Sequence, residues 1–114
     1  MQPTHLFAGL PVSDFGTARP WYARLLGREP DMLPQAGEAV WRLTSKGSIY
    51  VVADPERAGS GLVAIAVADL DAVASRLAAG GVAFERVLSR SGPPERLVAA
   101  DADGNRITLF ESPR

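Results

Sequence analysis

Val12-Ser13-Asp14-Phe15 and Val67-Ala68-Asp69-Leu70 are two versions of one junction, where an apolar run ends and an amphipathic helical stretch begins. The similarity extends outward from the two aspartates. Each helical stretch runs to glycine, Gly27 in the first half and Gly80-Gly81 in the second. Further on, Gly47-Ser48-Ile49-Tyr50-Val51-Val52 reads against Gly104-Asn105-Arg106-Ile107-Thr108-Leu109-Phe110, a turn leading into a strand. Asp14 and Asp69 stand 55 positions apart, and Ile49 and Ile107 stand 58 apart. A repeat of this period is stronger evidence of architecture than any local motif.

In the first half, residues 5–12 read as a strand, and Ser13 or Asp14 caps the helix that follows. Pro20 fits a regular helix only in its first turn, so the helix is expected to start near Thr17 or else to be kinked. Trp21, Leu25 and Leu26 share a face read as core, with Tyr22 at the surface, and Gly27 can take the left-handed conformation that ends a helix. Short strands are expected at 30–32, 39–44 and 48–53. The second half repeats the plan. A strand at 62–68 leads to a helix capped by Asp69, in which Leu70, Val73, Ala74 and Leu77 recur at helical spacing. Strands at 83–88, 96–100 and 105–111 follow, the last two joined by the turn at 101–104.

Each half therefore spells βαβββ, over about 5–54 and 62–112. The polar residues 55–61, with proline and glycine, form the linker. The expected fold is α+β, a single domain over 1–114. One helix cannot cover both faces of its strands, so the two modules are expected to form a mixed-sheet half-barrel with a central cavity.

At 114 residues the chain can bury roughly two-thirds of its unfolded surface without a staple. It has no cysteine, which excludes disulfides, a thiol nucleophile and thiolate metal sites. Eleven of its twelve basic residues are arginine, scattered from Arg19 to Arg114 around a net charge of −1, a pattern that does not predict nucleic-acid binding. The longest apolar run, 62–68, is far short of a membrane span, and Met1-Gln2-Pro3-Thr4-His5 holds no basic residue ahead of the apolar ones. A cytoplasmic location without membrane association is the expectation.

The pattern resembles the vicinal oxygen chelate superfamily, which includes glyoxalase I, extradiol dioxygenases, and the fosfomycin and bleomycin resistance proteins. The resemblance spans the chain and rests on four segments in order: residues 10–15, Trp21-Tyr22-Ala23-Arg24-Leu25-Leu26-Gly27, residues 67–71, and Asp101-Ala102-Asp103-Gly104-Asn105 with its following strand. In metal-dependent members, one side chain from the first and last strand of each half binds a divalent ion. Carried onto this chain, those positions fall at Phe7, Tyr50, Leu62 and Thr108. Phenylalanine and leucine offer no lone pair, and neutral tyrosine and threonine replace carboxylates poorly. No metal, no cofactor and no catalytic residue is expected, and the closest plan is that of the metal-free, bleomycin-resistance-like members. The resemblance also implies a homodimer.

The expected function is the binding, and possible sequestration, of a small organic ligand or antibiotic. Alternatives are a lyase or dioxygenase-like enzyme with a non-standard site, and a pocketless structural or interaction domain. Phe7, Tyr50, Leu62 and Thr108 would make an apolar cup with two hydroxyls. Strand alternation adds Arg106 and Phe110 to the same faces, along with Gly9, Ser48, Val52, Ala64 and Ala66. His5, two residues before Phe7, points the same way, as a ligand contact or general base or simply as a histidine near the chain end. Trp41 and Arg42 are adjacent and face opposite ways. One of them lines the cavity, Trp41 as a stacking surface or Arg42 as a charged fork. Residues 89–94 read as a surface loop, and the equivalent loop in relatives borders the pocket mouth.

Overall fold

The computed structural model describes residues 1–88 and 95–112. The first module runs β1 (Leu6–Val12), α1 (Phe15–Leu26), β2 (Glu38–Thr44) and β3 (Gly47–Ala53). The second runs β4 (Leu62–Val67), α2 (Leu70–Ala79), β5 (Glu85–Val87), β6 (Arg96–Ala100) and β7 (Arg106–Glu111). The sheets have the orders β1-β3-β2 and β4-β7-β6-β5, each with one parallel pair and otherwise antiparallel pairs. The fold is α+β with two βαβββ modules whose sheets do not close into a barrel. The fourth strand of the first module, expected at 30–32, is reduced to a single bridge between Met32 and Val40, because Pro30 and Pro34 remove backbone donors on either side. Residues 89–94 lie outside the described residues.

The repeated aspartates explain why both helices start where they do. Asp14 accepts from the backbone N–H of Thr17, and Asp69 does the same for Ala72. Helix α1 starts at Phe15, not near Thr17, and holds Pro20 in its second turn. Gly16, whose carbonyl loses that donor, is exposed. Gly27 ends α1 at φ 80°, and its N–H donates to the carbonyl of Ala23.

The buried face of α1 is Ala18, Tyr22 and Leu25, which corrects the placement of Tyr22 at the surface, while Trp21 and Leu26 are partly buried against the core. Tyr22 is fully buried because its hydroxyl has a partner, donating to Asp101 Oδ2 at 2.7 Å. Burial and that bond push the phenol above its ordinary range, so it remains the donor. One apolar core spans both modules, with Leu10, Trp41 and Val51 from the first and Leu77, Leu97 and Ile107 from the second.

Polar contacts lock the modules together. Arg76 of α2 donates to the carbonyls of Arg24 and Leu25, the orphaned acceptors at the end of α1. Asn105, expected in the last strand, sits just before β7 and reaches Pro11 and Gly61 instead. Among the described residues, no helix is long and apolar enough to cross a membrane.

Candidate functional site

Alternation sends Ala39, Trp41, Ile49 and Val51 toward the helices, so their neighbours must face away from them. The registers Phe7↔Ser48↔Arg42 and Gly9↔Tyr50↔Val40 put those six side-chain positions on one open face. In the second sheet Leu62↔Arg106, Ala64↔Thr108↔Val98 and Ala66↔Phe110↔Arg96 share the open face. The structure therefore brings Phe7 and Tyr50 together on one sheet, and Leu62 and Thr108 together on the other. It does not enclose them in a central cavity. Phe7 is 56% exposed and Leu62 77%.

The question of Trp41 and Arg42 has a clear answer. Trp41 is fully buried on the helix side, with its indole N–H donating to the carbonyl of Arg28 at 2.9 Å, so it is not a stacking surface for a ligand. Arg42 is exposed and lines the open face. A hollow of about 300 Å³ is bounded there by Phe7, Asp31, Met32, Val40, Arg42 and Tyr50. A second, of about 440 Å³, continues from Tyr50 toward Val52, Arg57 and Gly61. On the other sheet a hollow of about 370 Å³ lies among Leu62, Ala64, Arg96, Val98, Arg106 and Thr108. Phe110 is half-buried next to Arg96 in register and does not line that hollow.

Tyr50 shows how the face is shaped. A Cβ on Gly9 would stand 2.5 Å from Tyr50 Cζ, so the ring lies across β1 only because position 9 has no side chain. His5 is partly buried, with Nε2 2.8 Å from the Ser48 hydroxyl and its ring 4.6 Å from that of Phe7. This is its one side-chain hydrogen bond among the described residues, so no third group orients the ring as nucleophilic catalysis requires.

Asp31 was missed by the sequence reading, which treated its segment as a strand. Its Oδ2 accepts from the backbone N–H of Arg42 at 2.7 Å and from Arg28 Nη2 at 2.9 Å. The Arg42 bond, then the Arg28 bond, hold its carboxyl below the usual range. The folded value lies below the unfolded one, so the contribution is present above about pH 4 and is lost as pH falls through the folded value. Asp31→Asn should therefore flatten the acid limb of a stability-versus-pH curve below pH 4, measured by thermal melting. An unchanged limb would contradict this role. Arg96 and Val98 were also missed, although extending the alternation to β6 places them beside Thr108.

The donor set at Phe7, Tyr50, Leu62 and Thr108 does not fit a divalent ion, since two of the four side chains have no donor atom and neither of the others is a carboxylate. No group of three His, Asp or Glu residues that could hold a metal occurs among the described residues. A further groove of about 260 Å³ lies on the helix side, along Ser13, Asp14, Thr17, Trp21 and Asp103. Among its polar groups, Asp14 serves as a cap and Asp103 accepts from the Ser13 N–H and hydroxyl, while Arg24 also lines it.

The family described as Glyoxalase/Bleomycin resistance protein/Dioxygenase superfamily matches residues 4–109. A solved glyoxalase/bleomycin resistance protein from Catenulispora acidiphila DSM 44928 is 40% identical, with TM-score 0.89 over 96% of this chain and 98% of its own. TnmS3, an antibiotic binding protein from Streptomyces sp. CB03234, is 24% identical at TM-score 0.77, over 99% of both chains. A bleomycin-binding protein complexed with bleomycin is 18% identical at TM-score 0.71, over 96% of this chain and 98% of its own. None of the curated proteins matches the chain.

Proposed function

Given that this chain belongs to the Glyoxalase/Bleomycin resistance protein/Dioxygenase superfamily, we propose that it binds a small organic molecule of the antibiotic kind on its open sheet faces. In this reading it holds the molecule without a metal ion and without altering it. The observation that carries the proposal is the open face itself, where Phe7 and Leu62 stand exposed at the positions that the metal-dependent relatives give to ligands. TnmS3 and the bleomycin-binding protein, both described as binding antibiotics, support this class of ligand.

The functional unit in this proposal is a homodimer, and residues 1–114 act as one domain with 55–61 linking the modules. Phe7 and Leu62 expose apolar surface that water covers poorly, and a second copy laid over the open faces would turn the hollows into enclosed sites. The same proposal places it in the cytoplasm.

The test is a thermal-shift screen of chelator-treated protein against antibiotics and aromatic acids. A ligand at one hundred times its Kd adds about 2.7 kcal/mol and should raise the melting temperature by several degrees. A flat response across the panel would remove the binding proposal.

Tyr50 is expected to be a contact, and Gly9→Ala tests it at low structural cost. The new methyl displaces only the end of the Tyr50 side chain, so melting should change little. Affinity for an apolar fluorescent probe, N-phenyl-1-naphthylamine, should fall by about tenfold as the ring leaves its place. An unchanged affinity would show that Tyr50 does not contact the ligand.

A further inference from the structure

The two halves repeat their backbone pairing but not their charge. Glu38 faces Val52 as Arg96 faces Phe110, Val40 faces Tyr50 as Val98 faces Thr108, and Arg42 faces Ser48 as Ala100 faces Arg106. The open face of the first sheet thus carries Glu38 and Arg42, and Asp31 beside them adds a second acid to its hollow. The matching face of the second carries Arg96 and Arg106, and both border the 370 Å³ hollow whose other walls include Leu62, Ala64, Val98 and Thr108. Among the described residues, no carboxylate lines that hollow. The described ion pairs engage Arg19, Arg28, Arg57 and Arg86, and leave Arg96 and Arg106 without a carboxylate within reach among the described residues. Glu85, opposite Val98 on the edge strand, shares this face in register, but it neither lines the hollow nor forms an ion pair with either arginine. Residues 89–94, which precede Glu95 and Arg96, contain no acid at all.

Two guanidinium forks over an apolar floor, with a hydroxyl between them, match a molecule that is flat or greasy at one end and anionic at the other. We infer that the second-sheet hollow selects ligands bearing a carboxylate or sulfonate, with Arg96 and Arg106 clamping the anion and Leu62 and Val98 taking the apolar part. This rests on the binding role proposed above and adds the ligand's charge class.

A matched pair of probes separates the two claims. 1-Anilinonaphthalene-8-sulfonate and N-phenyl-1-naphthylamine share one skeleton and differ by the sulfonate. Titrated by fluorescence at low salt, the native protein should bind the sulfonate at least about tenfold more tightly, and the gap should narrow as salt screens it. Arg96→Gln with Arg106→Gln should remove the gap and leave the neutral probe unchanged. Arg19→Gln with Lys46→Gln, which changes net charge equally away from the hollow, should preserve it.

Equal binding of both probes by the native protein would overturn the anion selectivity and leave the binding role standing. Failure to bind either probe would overturn both. If the Arg96 and Arg106 changes weaken both probes alike and dissociate a dimer, the arginines serve the subunit interface and the inference falls. A melting curve for each variant establishes that it is folded before its affinities are compared.

Discussion

Replacing Asn105 by alanine is expected to lower the melting temperature by about 15 °C, corresponding to about 3 kcal/mol of stability. Asn105 is completely buried, and its one side chain serves three separate segments. Nδ2 donates to the Pro11 carbonyl at 2.7 Å and to Asp101 Oδ2 at 2.8 Å, while Oδ1 accepts from the Gly61 N–H at 2.7 Å. Alanine leaves the Pro11 carbonyl and the Gly61 N–H unpaired where water has little access, and each such loss costs about 1–3 kcal/mol. Asn105→Asp keeps the shape but sets a second carboxylate against Asp101, so it should not rescue the loss. Differential scanning calorimetry checks both variants. A loss under about 1 kcal/mol for Asn105→Ala would mean that the modules do not depend on this junction.

Leu62→Glu should leave folding intact and dissociate the homodimer proposed above. The side chain is 77% exposed in the single chain, so the substitution disturbs no packing within it. In a two-fold interface the change occurs twice. Each copy loses the burial of a leucine, worth about 1.5–3 kcal/mol, and must also desolvate a carboxylate. The dimer Kd should therefore weaken by at least about a thousandfold. Sedimentation equilibrium across a concentration series measures it. A variant still dimeric at the native protein's Kd would show that the open face is not the subunit interface, and would leave the hollows to be closed by other means.

The repeat made most of the architecture readable in advance. Asp14 and Asp69 are caps whose partners lie three residues away, and Gly27 acts through its own backbone, so local sequence contains the cause. The open faces were legible for a similar reason. Once Phe7, Tyr50, Leu62 and Thr108 share a parity, strand alternation fixes their neighbours without reference to distant contacts.

What sequence did not decide depends on partners far along the chain. Tyr22 is fully buried, with Trp21 packed beside the core, because Asp101, 79 residues away, receives its hydroxyl. Trp41 turns inward because the Arg28 carbonyl accepts its indole N–H, and Arg42 is left to the open face as a result. Asn105 reads as the start of the last strand, since nothing nearby announces a bond to Pro11, 94 positions earlier. The strand expected at 30–32 failed through its prolines, and the segment instead supplies Asp31 and Met32 as a wall of the first hollow. The charge difference between the halves needed only the pairing register, which shows Arg96 standing where the first half has Glu38.

The central claim is that the open faces hold an organic ligand without a metal. Its most direct test is a fluorescence titration of N-phenyl-1-naphthylamine into chelator-stripped protein, repeated after adding nickel or zinc and repeated with Leu62→Glu. The account predicts saturable binding that is the same with and without metal and is lost in the variant. Binding that appears only when the divalent ion is restored, or no saturable binding in either state, would contradict it.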